Sequence, residues 1–224
     1  MCSIRISSLP TGRHLWVAAA FLMSNVLSVP ALWAASLLDG ELGLTQWSND
    51  VRVDVSEGET ESATLSGDAE VWWNDKWGLK GTLYQSDLDE ADFQGTDQFS
   101  IDVKRRIFFP TDSSFLAVGL GWEDLDLDDG QSSSGARFVL EGRVGVLGGL
   151  HLYGQTAWFP SLTDTGSRSD LTGNEYEAGL SYDPFPFMSL RAGYRHFRLD
   201  FDDDNGTGAF SETSGFVFGA GFRW

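Results

Sequence analysis

ETSGFVFGAGFRW, residues 212–224, is the stretch of this sequence that decides the fold. Large apolar residues alternate there with small or polar ones, and the first row consists of Ser214, Phe216, Phe218, Ala220, Phe222 and Trp224. A period of two is that of a β-strand whose two faces meet different environments. An exposed face with four large aromatic side chains is unfavourable in water and favourable in a bilayer. The stretch therefore predicts a membrane-spanning strand that ends on an aromatic residue.

The beginning of the chain has the features of an export signal. It starts with two arginines, continues with a mostly apolar run over residues 15–27, and reaches small residues at Ala34 and Ala35. That order is typical of a signal peptide, and the apolar run is too short and too interrupted for a spanning helix. We expect a cleaved signal peptide over residues 1–34 and one mature domain over residues 35–224.

The mature chain is strongly acidic and has no thiol. The 224 residues contain 15 Lys and Arg and 33 Asp and Glu, for a formal net charge of −18. Removal of the signal peptide takes away two arginines and the only cysteine, Cys2, so the mature charge is −20. Disulfides and cysteine-based metal or redox chemistry are excluded, and no cofactor is expected. The acidity also argues against nucleic acid as a partner.

The mature chain divides into segments of about ten residues, the length that a tilted spanning strand needs. We predict ten strands, over residues 37–48, 63–73, 77–87, 98–109, 115–125, 136–147, 150–160, 173–183, 187–200 and 212–224. Short connections alternate with longer, mostly polar ones, and the long ones are 49–62, 88–97, 126–135, 161–172 and 201–211. This layout is typical of an outer membrane barrel with its short turns in the periplasm. Eight strands, with residues 37–62 arranged differently, is the alternative.

Aromatic residues cluster at both ends of the predicted strands. Those at the short-turn end are Trp73, Trp77, Phe109, Phe115, Phe187 and Trp224. Those nearer the long loops are Trp47, Phe99, Trp122, Phe138, Trp158 and Tyr176. Two belts fit two bilayer interfaces and favour a barrel over a soluble β-sandwich, whose strands also alternate. Arg105 falls in an apolar row, so we expect either a bulge near residues 104–106 or a side chain that snorkels to an interface.

The inward rows carry many charged residues. The candidate lumen charges are Glu41, Asp68, Glu70, Lys80, Asp102, Lys104, Arg106, Glu123, Glu141, Arg143, Glu175, Glu177, Arg191 and Arg195. Charges in a narrow lumen must be paired or hydrated, so this set predicts a salt-bridged plug or, alternatively, the filter of a narrow pore. Eight strands enclose a filled interior whereas open porins need about 16, and ten strands therefore favour the plug.

The predicted long loops are rich in carboxylates. Two acidic tips are formed by Asp124, Asp126, Asp128 and Asp129 and by Asp200, Asp202, Asp203 and Asp204. The second tip has partial calcium-loop spacing, but Phe201 stands where the first oxygen ligand is required. We therefore expect no calcium site there. Bridging of divalent cations to lipopolysaccharide phosphates, or a solvated acidic loop, fits the sequence better.

Two histidines, His151 and His196, remain after cleavage. Barrel lipid A deacylases use a His-x-Ser pair, but Arg198 stands where that serine would be. Omptin proteases use an Asp-x-His unit, but the residues two positions before the histidines are Gly149 and Tyr194. Neither catalytic set is present, so we expect no enzymatic activity and keep a surface enzyme as a second alternative.

Three stretches in the last third of the chain are distinctive, namely HLYGQTAWFPSL (151–162), NEYEAGLSYDPFPFMSLRAGYRHFRLDF (174–201) and the terminal FVFGAGFRW. On these stretches the chain resembles the YfaZ-like outer membrane proteins. The resemblance implies a small exported barrel and carries no catalytic residue across. Phe222 and Trp224 also resemble the C-terminal signal that barrel-assembly machinery reads, with Trp in place of the usual Phe.

These patterns together predict an all-β, closed antiparallel transmembrane barrel in the outer membrane of a Gram-negative cell. The expected role is structural, in the integrity of the envelope, with acidic surface loops. The alternative is a narrow channel for small solutes or ions. The expected partners are outer membrane lipids, lipopolysaccharide and the barrel-assembly machinery, and the oligomeric state is left open.

Overall fold

Ten antiparallel strands form a closed barrel in the computed structural model of the protein. The structure describes residues 38–53, 56–73, 75–86, 96–111, 114–127, 131–165, 168–202 and 206–224. The strands are β1 (Leu38–Val53), β2 (Ser56–Trp73), β3 (Trp77–Ser86), β4 (Thr96–Thr111), β5 (Ser114–Leu127), β6 (Gln131–Leu147), β7 (Leu150–Phe159), β8 (Ser169–Phe185), β9 (Met188–Asp202) and β10 (Gly208–Arg223). The predicted signal peptide lies outside the described residues.

Strand order around the barrel follows the order in the chain. Each strand pairs with the next, and β1 pairs with β10 from Glu41 opposite Arg223 to Val53 opposite Ser211. Closure leaves no sheet edge with unpaired backbone groups. The prediction of ten strands is confirmed, and the eight-stranded alternative is wrong. Among the described residues, no helix is long and apolar enough to cross a membrane.

The first and the last strand residues of the barrel, Leu38 and Arg223, lie on the side that carries the short turns. The β6–β7 turn consists of Gly148 and Gly149, whose φ angles are +54° and +82°. A two-residue hairpin turn of type I′ requires positive φ at both central positions, and glycine adopts it without steric cost. The Gly-Gly pair therefore explains why the sequence turns at this point.

The predicted long connections are shorter in the structure than the sequence indicated. β1 and β2 continue to Val53 and from Ser56, so most of residues 49–62 is strand. The predicted loop was too long because residues 49–62 are polar on both faces, which is typical of a loop. A β-ladder can nevertheless continue through such residues, since it is held by hydrogen bonds between backbone groups. Asp124, Asp126, Asp200 and Asp202 accordingly belong to strands β5 and β9. The other four acids of the two predicted tips lie outside the described residues.

The outer surface of the barrel is apolar. Leu44, Leu120, Val144 and Phe216 are each more than half exposed, as side chains that face lipid would be. Arg105 stays in this outer row and lies over the ring of Trp77, 5.4 Å from its centroid. Register shifts occur next to Arg106 rather than at Arg105. The snorkelling interpretation therefore describes Arg105 better than a bulge that turns it inward.

Most of the predicted belt residues lie on the outer surface, but two do not. Trp47 is only 4% exposed and packs inside the barrel. Phe115 faces the lumen, with its ring centroid 5.6 Å from that of Trp72. The period of two assigns both residues to the inward rows of their strands. The prediction assigned them to the belts only because they are near strand ends.

Candidate functional site

The lumen is the only part of the described barrel in which charged side chains are gathered and buried. All fourteen candidate lumen charges lie on inward rows of their strands, where each contacts another charged side chain or lines a shared cavity. They form three layers between the long-loop end and the short-turn end. We name these the upper, middle and lower layers.

The upper layer is centred on Arg137, which is 1% exposed. Its guanidinium contacts the carboxylates of Glu123 at 2.5 Å, Glu175 at 2.6 Å and Asp102 at 3.1 Å. These four side chains come from strands β4, β5, β6 and β8 and are all buried. One cation thus holds three carboxylates away from water.

Arg195 completes the upper layer from β9. It donates to Glu175 and to the Gln98 side-chain oxygen, each at 2.7 Å. Its guanidinium also lies over Tyr84, 3.4 Å from the ring centroid, and over Trp47 at 4.7 Å. Such stacking on aromatic faces stabilises a cation that has lost its water.

The middle layer contains two lysines, of which only Lys104 has a carboxylate in direct contact among the described residues. Lys104 Nζ lies 2.5 Å from carboxylate oxygens of both Glu70 and Glu141. Lys80 instead donates across the lumen to the side-chain oxygen of Gln155 at 2.6 Å. In the same layer, the Tyr153 hydroxyl donates to Glu177 at 2.9 Å.

The lower layer runs across the seam between the first and last strands. Glu41 of β1 accepts from Arg223 and Ser189 at 2.6 Å each, and it lies 3.4 Å from Arg191. Arg191 also donates to Asp68 at 3.0 Å. These contacts connect strands β1, β2, β9 and β10 and so clamp the barrel where it closes.

A second part of the lower layer is centred on Asp183. This carboxylate accepts from Arg143 at 2.7 Å and also pairs with Arg223. The Nδ1 atom of His151 lies 2.8 Å from the guanidinium of Arg143. Arg106 lies nearby at the short-turn end, over the ring of Trp72, with 4.0 Å between the guanidinium carbon and the ring centroid.

A cavity of about 410 Å³ occupies the lumen between the upper layer and the short-turn end. Its walls include Lys80, Glu177 and Tyr153 from the middle layer. At its mouth are residues of the short-turn end, among them Pro186 and Trp224. Its far end is lined by Tyr84 and Glu175 of the upper layer, and the apolar cluster beyond them makes the cavity blind in that direction.

An apolar cluster fills the lumen beyond the upper layer. Its buried members are Trp47, Leu125, Val139, Ala157, Phe159, Leu162, Leu171, Phe197, Leu199 and Val217. Leu162 belongs to the connection between β7 and β8 rather than to a strand, and it is 4% exposed. This connection is anchored to β6, because Ser133 Oγ donates to the Thr163 carbonyl at 2.6 Å. The cluster closes the long-loop half of the lumen.

Three residues of the site were missed from the sequence. The period places Arg137 and Arg223 on the polar rows of their predicted strands, but they were left out of the candidate lumen charges, whereas Asp183 stands next to a predicted short turn. Without them, Asp102 and Glu123 would have no cation in direct contact.

Both histidines pack against or lie close to neighbouring side chains. His196 stacks on Tyr176, with the ring centroids 4.7 Å apart, and its Nδ1 lies 3.7 Å from Glu212. Within the described ranges, no group of three or more His, Cys, Asp or Glu side chains is arranged to hold a metal ion. For the predicted second acidic tip, Asp203 and Asn205 lie outside those ranges.

Solved structures of outer membrane proteins are similar in fold. OmpT, the outer membrane protease of Escherichia coli, is 11% identical, with a TM-score of 0.51 over 84% of this chain and 96% of that chain. Neisserial surface protein A is 16% identical, with a TM-score of 0.44 over 83% of this chain and 97% of that chain. Ail of Yersinia pestis is 16% identical, with a TM-score of 0.36 over 83% and 98%. At 11% identity, OmpT shows similarity of fold alone. The TM-scores of the other two structures are below 0.5, so nothing about this chain follows from them.

A family model gives the stronger comparison. No curated protein matches this sequence significantly, but the model described as "Outer membrane protein beta-barrel domain" matches residues 18–223. That match covers nearly the whole chain and includes all ten strands. The chain therefore belongs to the outer membrane protein β-barrel domain family, and its location is the outer membrane of the cell.

Proposed function

We propose that this protein is a non-conducting barrel with a structural role in the integrity of the outer membrane. The observation that carries the proposal is the closed lumen, in which the apolar cluster lies directly beyond the upper layer of Arg137 and Arg195. Fully buried arginines held by several carboxylates cannot move aside without leaving charges unpaired. The filled interior fits a barrel of ten strands.

The test is the conductance of the refolded mature protein in a planar bilayer. We expect no discrete conductance steps, because a solute would have to displace both the upper layer and the apolar cluster. An open porin in the same bilayer is the positive control. Discrete steps from the folded barrel would overturn the proposal.

The alternative function is a narrow channel for small solutes or ions. It is favoured by the polar cavity, which reaches from the short-turn end to the upper layer. If the protein conducts, reversal of charge at Glu70 or Arg191 should change its ion selectivity, since both residues line this cavity. Conductance with unchanged selectivity would place the path elsewhere.

We also propose that the protein has no enzymatic activity and is a YfaZ-like barrel. The proposal is supported by the sequence, in which neither the His-x-Ser pair nor the Asp-x-His unit is present around His151 and His196. The protease activity named for OmpT belongs to that protein.

The proposed partners are outer membrane lipids, lipopolysaccharide and the barrel-assembly machinery. Asp124, Asp126 and Asp202 are at the long-loop ends of their strands, where divalent cations could join them to lipopolysaccharide phosphates. Phe222 and Trp224 at the other end support recognition by the assembly machinery.

A further inference from the structure

We propose that a surface around Arg105, on the outside of the barrel, binds the phosphodiester of a glycerophospholipid in the periplasmic leaflet of the membrane. The guanidinium of Arg105 would donate to the phosphate oxygens, and the rings of Trp73 and Trp77 would pack beside the headgroup. This site gives the proposed lipid partners a defined place on the barrel and rests on that part of the proposed function. Its test measures lipid binding alone, so its failure would leave the conductance result unaffected.

Arg105 is a charged residue on a face of the barrel that is apolar around it. Along β4, its neighbours on that face are Val103 and Ile107, which are both exposed. Trp77 of β3 and Val118 of β5 stand directly opposite Arg105 in the two neighbouring strands. The register therefore places no carboxylate beside this cation.

The other charged residues near Arg105 face the lumen or lie in a turn. Lys104 and Arg106, which flank Arg105 in the chain, belong to the inward row and have their contacts there. Asp75 and Lys76 lie in the turn between β2 and β3 and are exposed, and their formal charges offset each other. Among the described residues, no carboxylate is in direct contact with the guanidinium of Arg105. Its charge is therefore open to an anion from the membrane.

The position of Arg105 along the barrel fits the headgroup region. Trp77, which stands opposite it, is the first residue of β3 and follows a short turn. The short turns face the periplasm in an outer membrane barrel. Tryptophan is enriched at the interface between membrane and water, and an arginine near the interface extends its charge towards the headgroups. In this leaflet, the anionic group at that depth is the phosphate of a lipid.

Arg105 ends a continuous row of three large side chains. Trp73 of β2 stands opposite Trp77 of β3, which stands opposite Arg105 of β4. Adjacent strands are about 4.8 Å apart, so the row spans about 10 Å, a width that suits one diacyl lipid. The guanidinium lies over the Trp77 ring, 5.4 Å from its centroid. Stacking of this kind orients the planar fork, which can bind two phosphate oxygens at once.

The acyl chains of such a lipid would find an apolar surface next to this row. The adjacent outward row, towards the centre of the membrane, consists of Leu79, Val103 and Leu120. All three side chains are exposed. A phosphate held by Arg105 would place the chains of its lipid along them, whereas a free phosphate ion would use the guanidinium alone. The apolar row therefore favours a lipid as the occupant.

The test is native mass spectrometry of the refolded mature protein in dodecyl maltoside, titrated with dioleoylphosphatidylglycerol. We expect saturable binding to the wild-type protein and roughly tenfold weaker binding to Arg105→Met, because a hydrogen bond to a charged group contributes enough free energy for such a factor. Dioleoylglycerol, which has the same chains but no phosphate, should bind weakly and equally to both proteins. Equal affinity of the two proteins for the phospholipid, or no saturable binding to the wild-type protein, would overturn the proposal.

A matched variant and a competitor make the test specific. Arg198→Met removes an arginine from an outward row at the long-loop end and should leave the affinity for the phospholipid unchanged. Each variant is compared only as protein whose folded band is retained on an unheated gel. Equal losses in Arg198→Met and Arg105→Met would mean that total charge attracts the lipid, and displacement of the lipid by excess inorganic phosphate would mean an adventitious ion only. Either result would overturn the proposal.

Discussion

Arg137 is the side chain on which three buried carboxylates depend. Its replacement by Met would leave Asp102, Glu123 and Glu175 facing each other without this cation. We expect Arg137→Met to lower the free energy of unfolding by about 3–5 kcal/mol, the usual cost of breaking a buried ion pair. The free energy of unfolding can be measured by urea unfolding of the protein in lipid vesicles.

Two comparisons make the Arg137 experiment specific. Arg198→Met, which removes half-exposed pairs with Asp200 and Glu212, should cost less than Arg137→Met, about 1 kcal/mol. Addition of Glu123→Gln to Arg137→Met should recover part of the loss, because one uncompensated charge is removed. A double variant as unstable as the single one would contradict this explanation.

Trp224 closes the seam through its backbone and its ring. Its N–H donates to the Gly40 carbonyl at 3.2 Å, and the Gly40 N–H donates to the Trp224 carbonyl at 3.1 Å. A side chain at Gly40 would overlap the indole ring. We expect Gly40→Val and deletion of Trp224 to lower the amount of folded protein in the outer membrane several-fold, and more than any loop change.

The control for the seam is Gly67→Val. A Cβ atom at Gly67 would meet no other atom closer than 3.8 Å, and a β-branched residue suits a strand. This variant should therefore assemble normally, as judged by the folded band on unheated gels. Normal outer membrane levels of the Trp224 deletion would refute the role given to that residue.

Residue-level prediction from the sequence worked where the period of two was followed strictly. It placed the fourteen candidate charges on inward rows, but Trp47 and Phe115 were assigned by their closeness to strand ends, and the period contradicts that assignment. Arg137 stands on the polar row of the predicted strand 136–147 but was left out of the candidate charges. Which inward charges meet could not be predicted, because contacts across the lumen depend on strand tilt and shear.

At the scale of elements, the β7–β8 connection behaves as part of the core. Leu162 is buried in the apolar cluster, and its N–H donates to the Leu171 carbonyl at 2.9 Å. We expect Leu162→Ala to lower the free energy of unfolding by about 2–5 kcal/mol, as for a Leu in a packed core. Chemical denaturation of the refolded protein provides the measurement.

Ser161→Ala is the matched control in the same connection. Ser161 is exposed, and exposed positions usually change stability by no more than about 0.5 kcal/mol. Equal effects of the two substitutions would mean that this connection does not contribute to the core. The sequence showed this segment only as a long polar loop, because two leucines nine residues apart, Leu162 and Leu171, form no periodic pattern.

The barrel as a whole was predictable because its determinants are repeated along the chain. Ten alternating segments, short turns such as Gly148–Gly149 and an export signal all indicated the same architecture. The blind lumen was not predictable in the same way. Leu125, Phe159 and Leu199 lie far apart in sequence and meet only because the closed sheet brings their inward rows together.

The seam also has a kinetic consequence. Glu41 and Arg223, which pair across it, are 182 residues apart in the chain, and contacts of such long sequence separation form late because the closure of a long loop costs entropy. β1 must therefore wait, with one edge unpaired, until β10 has been synthesised and exported. A chain interrupted before its last strand would keep two open edges and remain prone to aggregation.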